Sequence, residues 1–125
     1  MLVLDAGALV AAERADREVV ALIKRERLAG RSPITHAGVV GQVWRGGSGK
    51  RAQLAKLLTG LHVVALDECL GRRAGVLLGR TKTKDVIDAA IALLVSDGDE
   101  LLTADPLDLR CLVKAIGVQV DLVEV

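Results

Sequence analysis

Aromatic side chains are nearly missing from this chain of 125 residues: it has no Phe, no Tyr and a single Trp, Trp44. A platform of stacked rings for single-stranded nucleic acid is therefore excluded, and Trp44 is expected in the core or at an interface. Without rings, the interior has to be built from Leu, Val, Ile and Ala, which suits buried parallel strands under helices. Cysteine is scarce as well. Cys69 and Cys111 show neither metal-finger spacing nor a disulfide framework, so reduced, partly buried thiols are expected, as in a cytoplasmic protein. His36 and His62 are too few and too far apart to suggest zinc, and a helix-start or surface role is expected of each. No apolar run approaches the roughly 20 residues of a membrane span. The opening Met1-Leu2-Val3-Leu4 lacks the basic start and cleavage site of a signal peptide, so a soluble cytoplasmic protein is expected. Charge of one sign is not in excess either, because the formal net charge is +1.

With no global attraction to a polyanion, local clusters carry any such contact, since screening confines an exposed charge to about 10 Å. Arg45, Lys50, Arg51 and Lys56 form one basic run, and Arg72, Arg73, Arg80, Lys82 and Lys84 form another. The second leads into Asp85, so a phosphate-holding rim beside that acid is one reading and solvated helix faces are the other.

The length suits one domain, 1–125, with a substantial core. A strand over 1–5 should feed a helix to about Arg14, and a second helix over 16–29 should carry Val19, Val20, Leu22, Ile23 and Leu28 on or near its apolar face. A strand over Ser32–Thr35, a helix over His36–Arg45, a Gly46-Gly47-Ser48-Gly49 turn and a helix near 50–59 follow. Next come a strand over His62–Leu66, a helix from Asp67 to about Leu78 and a basic loop over Gly79–Lys84. A helix over 85–97, a strand over 100–103, a helix over 106–116 and a strand over 118–123 complete the chain. Alternating strands and helices imply an α/β fold with a mostly parallel sheet covered on both faces.

What stands out is the placing of the acids. Asp5, Asp85 and Asp105 fall where helices begin, with Asp88 and Asp108 three residues further on. Each has an ordinary explanation, because Asp caps helix N-termini and first-turn carboxylates are favoured by the helix dipole. Together they mean more. Ligands of an open α/β sheet bind beyond the carboxyl ends of its strands, and Asp5 and Asp105 end two very apolar strands. Carboxylates that converge there repel unless a cation lies between them, and a hard ion such as Mg²⁺ prefers all-oxygen donors. Ala89 and Ala90 are small enough to keep such a pocket open beside Asp88.

The segments Leu4-Asp5-Ala6-Gly7-Ala8-Leu9, Asp85-Val86-Ile87-Asp88-Ala89 and Thr103-Ala104-Asp105 resemble the acidic motifs of the PIN-domain nucleases. Length and element order are closest to the VapC-type toxins of toxin–antitoxin pairs. The resemblance implies a three-layer PIN-like fold and a ribonuclease that hydrolyses RNA phosphodiester bonds with Mg²⁺ or Mn²⁺. By motif match Asp5, Asp88 and Asp105 would hold the metal, with Asp85 and Asp108 as nearby helpers or caps. Thr103 matches the family's strand-end hydroxyl. The resemblance also implies a homodimer and a cognate antitoxin, whose inserted Arg would satisfy the carboxylates. Arg45, Lys82 and Lys84 are candidates for holding the RNA backbone.

One departure is Gln42 in Gly41-Gln42-Val43-Trp44-Arg45, where the family usually has an acid. A neutral amide removes a unit of negative charge from the site. Glu13 lies two helical turns beyond Asp5 and is expected at the surface. Gln42 leaves a non-catalytic PIN-like binding module as a rival. A phosphatase with an aspartyl nucleophile is a second, although Gly7 stands where that chemistry wants another Asp. Gly46-Gly47-Ser48-Gly49-Lys50 is not a phosphate loop, since Trp44 and Arg51 occupy positions that need Gly and Ser or Thr.

Overall fold

A computed structural model describes residues 1–45 and 50–125, without the side chains of Lys50 and Arg51. The glycine-rich turn expected at 46–49 and the contacts of those two basic residues lie outside the described residues. The elements in chain order are β1 (Leu2–Leu4), α1 (Ala6–Glu13), α2 (Arg17–Leu28), β2 (Ile34–His36), α3 (Ala37–Val43) and α4 (Lys50–Thr59). They continue with β3 (His62–Val64), α5 (Glu68–Thr81), α6 (Val86–Leu94), β4 (Glu100–Thr103), α7 (Pro106–Ile116) and β5 (Asp121–Glu124).

The strands form one parallel sheet in the order β3-β2-β1-β4-β5. The central pair is registered Leu2 to Glu100, Val3 to Leu101 and Leu4 to Leu102. All five of these apolar residues are fully buried. A strand covered on both faces needs apolar residues at every position, and fully burying a Leu or Val side chain contributes about 1.5–3 kcal/mol. Helices α1 to α4 pack among themselves, and so do α5, α6 and α7. Right-handed crossovers place the first group on one face and the second on the other, because the chain moves from β1 to β3 in one direction and from β4 to β5 in the opposite one. The core is aliphatic throughout, with Leu9, Val39, Ile91 and Leu109 fully buried beside the central strands.

Several expectations shift. Helix α5 runs on to Thr81, so Gly79, Arg80 and Thr81 are helical rather than loop. The Thr81 hydroxyl donates to the Leu77 carbonyl at 3.0 Å, and Lys82 closes the helix in the left-handed region at φ 55°. The second strand starts at Ile34 rather than Ser32, the final one at Asp121, and α6 stops at Leu94. Leu28 is 90% exposed, while Glu26 takes an inward position at 2%. Its carboxylate is held by two hydrogen bonds from the Arg31 guanidinium, at 2.9 and 3.0 Å. Both cysteines are free and exposed, on the outer faces of α5 and α7, rather than partly buried. Trp44 is about one-third exposed at the end of α3 and is not a core residue.

Candidate functional site

The sheet order reverses between β1 and β4, because the chain leaves β1 toward β2 and leaves β4 toward β5. Crevices at such a reversal open beyond the carboxyl ends of the strands. Asp5 leaves β1 there, its N–H donating to the Leu102 carbonyl at 3.2 Å. Asp105 leaves β4 beside it. The two exits are pressed together at Gly7, where an added Cβ would stand 2.4 Å from Cβ of Ala104. Only glycine permits that approach. Thr103, fully buried at the end of β4, accepts the Asp105 N–H on its hydroxyl at 2.8 Å.

A third approach comes from α6. Asp85 caps that helix by accepting the Asp88 N–H at 3.0 Å, which leaves the Asp88 side chain half-buried in the first turn. On α7, Asp105 stands at the cap position but makes no capping bond with its side chain, and Asp108 occupies the first turn. Each of Asp88, Asp105 and Asp108 offers a carboxylate oxygen within 4.8 Å of the others. Asp5 is not in that trio. One of its oxygens accepts the Ala8 N–H at 2.9 Å as the cap of α1, and its side chain is 7% exposed. The structure thus brings Asp88, Asp105 and Asp108 together, while Asp5 is buried close enough for its charge to act on Asp88.

Burial and mutual repulsion both bear on the ionisation of these groups. Burial pushes the Asp88 carboxyl up to about 6, and the charges of Asp85, Asp5, Asp105 and Asp108 add to the rise. Asp108 is raised by a hydrogen bond to Asp105 and by that residue's charge, with smaller contributions from desolvation and Asp85. Burial also raises Asp5, against the pull of the Thr103 hydroxyl and the N–H groups of Ala8, Ala104 and Gly7. Among the described residues none of these acids forms an ion pair. A divalent ion would relieve the repulsion in such a group, and two of the trio are exposed.

The remaining candidates lie around this centre in different states. Gln42 is exposed near the end of α3, and Glu13 is half-buried at the far end of α1. The Arg45 guanidinium donates to the carbonyls of Gly41 at 3.3 Å and Trp44 at 3.1 Å. Lys82 and Lys84 are exposed on the turn that leads into Asp85. His62 is exposed, but His36 is fully buried, and its ring caps α3 by accepting the Gly38 N–H at 3.0 Å. Burial holds the His36 ring below the usual imidazole range, with a partial counter-effect from the Ile87 carbonyl. Two surface hollows, of about 410 and 370 Å³, contain none of the acids.

No family model matches the sequence, and no curated protein matches it. Among solved structures, the chain is similar to one in the crystal structure of VapBC2 from Rickettsia felis bound to a DNA fragment from their promoter. The TM-score is 0.73 at 9% identity, and the alignment covers 98% of each chain. At that identity the likeness shows the fold, and the PIN-like α/β fold implied by the motifs is the fold of this chain.

Proposed function

We propose that this chain is a Mg²⁺- or Mn²⁺-dependent endoribonuclease of the PIN-domain, VapC-like type, the toxin of a toxin–antitoxin pair acting in the cytoplasm. One observation carries the reading: the carboxylates of Asp88, Asp105 and Asp108 meet at the β1/β4 reversal with no ion-pair partner among the described residues, and burial, with the neighbouring acids adding to it, pushes Asp88 up to about 6. Likeness of fold to a VapBC2 chain supports it independently. An all-oxygen donor set fits a hard divalent cation, and Asp88 and Asp105 are assigned to hold it, with Asp5 and Asp108 alongside.

When bound, the ion supplies charge neutralisation at the phosphodiester and makes water a better nucleophile near neutral pH. The protein does the rest. Asp5, held in place by the Ala8 N–H with the Thr103 hydroxyl and the Ala104 and Gly7 N–H groups beside it, is assigned to orient the attacking water and take its proton. Thr103 steadies the backbone on which Asp105 sits. Lys82 and Lys84 hold RNA phosphates from the rim, and Arg45 does so from the end of α3. Stacking contributes little with one Trp in the chain, so cleavage specificity comes from RNA shape. A cognate antitoxin would silence the site by inserting an Arg among the carboxylates, and the active unit is a homodimer.

The test is purified protein with a mixed RNA pool, with Mg²⁺ or Mn²⁺ and with chelator. Cleavage that needs the ion and is lost in Asp105→Asn supports the reading. Absence of cleavage at every ion concentration would favour the binding module that Gln42 suggests. A phospho-aspartate trapped at Asp5 would favour the phosphatase.

A further inference from the structure

The geometry points to His36 as a positioning residue that ties the β2–α3 junction to the first turn of α6 and so fixes where Asp88 is presented. His36 is fully buried, and both ring nitrogens are engaged. Nδ1 accepts the Gly38 N–H at 3.0 Å, so it carries no proton. The proton therefore resides on Nε2, which donates to the Ile87 carbonyl at 3.0 Å. One neutral ring thus caps α3 and grips α6 one residue before Asp88.

Packing at the same spot leaves little slack. A Cβ on Gly38 would stand 2.5 Å from Cδ1 of Ile87 and 2.9 Å from Cε1 of His36. The start of α3, the imidazole and the Ile87 side chain are therefore in close contact. A hold on this turn has work to do, because Asp85, Asp5, Asp105 and Asp108 all repel the Asp88 carboxylate. The Asp85 cap acts from within α6 itself, whereas His36 anchors the turn to the sheet through β2. An anchor of this kind orients a ligand without touching the ion, as a hydrogen-bonded partner behind a metal ligand does.

The kinetic side of this inference rests on the nuclease reading, while the ion-binding side does not. Two substitutions separate the functions of the ring. In His36→Asn the short amide keeps a cap acceptor for Gly38 but falls short of Ile87. In His36→Gln the longer amide reaches the Ile87 carbonyl and gives up the cap. The tie to Ile87 predicts that His36→Asn weakens Mn²⁺ binding, titrated on the protein alone, by about 10-fold or more. It also predicts that kcat falls by about 10- to 100-fold at little-changed RNA KM. His36→Gln should bind Mn²⁺ within about threefold of wild type while melting lower, the reverse of a purely structural ranking. Should His36→Asn not fold, His36→Gln against wild type decides. Wild-type Mn²⁺ affinity in His36→Asn, or equal loss in both variants, would overturn the assignment. If the wild type binds Mn²⁺ yet cleaves no RNA, the nuclease reading is lost and the Mn²⁺ ranking still decides for or against His36. If it binds no Mn²⁺, amide exchange of residues 88–91 decides: faster exchange in His36→Asn than in His36→Gln supports the tie, and equal exchange overturns it.

Discussion

At the amino ends of β1 and β4, acids are matched by cations of the chain itself, whereas at the carboxyl ends of the same strands they face one another. Asp99, just before β4, takes the Met1 ammonium at 3.0 Å and the Ser96 N–H at 2.8 Å. Glu100 pairs with Arg25, and the buried Glu26 with Arg31, whose hydrogen bonds hold the Glu26 carboxyl below its ordinary value. At the other end, Asp88 and Asp108 are both raised, and no ion pair reaches them among the described residues. The sheet is the same length of backbone seen from two sides. Its amino end pairs its acids, and at its carboxyl end no ion pair reaches the clustered acids among the described residues, the state expected of the ion site proposed above.

The comparison is broken most severely at the carboxyl end. Asp88→Asn or Asp105→Asn should lower RNA cleavage by roughly 10²- to 10³-fold, the size of effect seen when one preorganised electrostatic group is removed. Asp5→Asn belongs in the same series. Melting temperature should hold or rise in Asp88→Asn, since a repelled charge is gone; a large fall would recast that acid as a structural cap. At the amino end the signs reverse. Arg31→Ala leaves the Glu26 carboxylate buried without its partner, and a lower midpoint is expected in denaturant unfolding. Cleavage per folded molecule should not change.

A gentler probe is pH. The folded-state value for Asp88, about 6, lies above the 3.8 of the free side chain, so between those values the folded protein binds more protons than the unfolded one. Its contribution to ion-free stability is therefore greatest at low pH and is lost as pH rises from about 4 to 6. Solvent screening of a half-buried group keeps that loss on the order of 1 kcal/mol. It is read as the difference between wild type and Asp88→Asn in unfolding midpoints across the window, and saturating Mn²⁺ should reverse it. An unchanging difference would show that neither burial nor the neighbouring acids raise Asp88. Smallest of all is Gln42→Glu, which should tighten Mg²⁺ binding by about threefold to tenfold if α3 faces the ion. Unchanged affinity would place that exposed side chain outside the ion's reach.

Much of this arrangement could be read from local signals, and what could not was decided by contacts distant in sequence. β4 and α7 fall at 100–103 and 106–116 as expected, because Pro106 opens the helix and Gly117 closes it at φ 85°. The Gly79–Thr81 turn of α5 defeats the same reasoning, since a glycine and basic residues imitate a loop while Leu77 beneath them stays buried. Leu28, expected on the apolar face, is exposed, and Glu26 goes inside because Arg31, beyond the helix, supplies the partner for its carboxylate. Every acid of the candidate site has the pattern of a helix start, as a cap or as a first-turn carboxylate. Only the assembled sheet separates Asp5 and Asp85, which do cap, from Asp105, which does not. His36 announces its cap by preceding the helical Ala37-Gly38, but nothing in the neighbouring residues reveals that Ile87 lies across from it.

The most direct measurement is crystallographic, with Mn²⁺ located by its anomalous signal. The account predicts one ion bound through oxygens of Asp88 and Asp105 at about 2.0–2.2 Å, at the β1/β4 reversal and within reach of Asp5 through water. Crystals in saturating Mn²⁺ with no density there, and the three acids still facing one another, would contradict it.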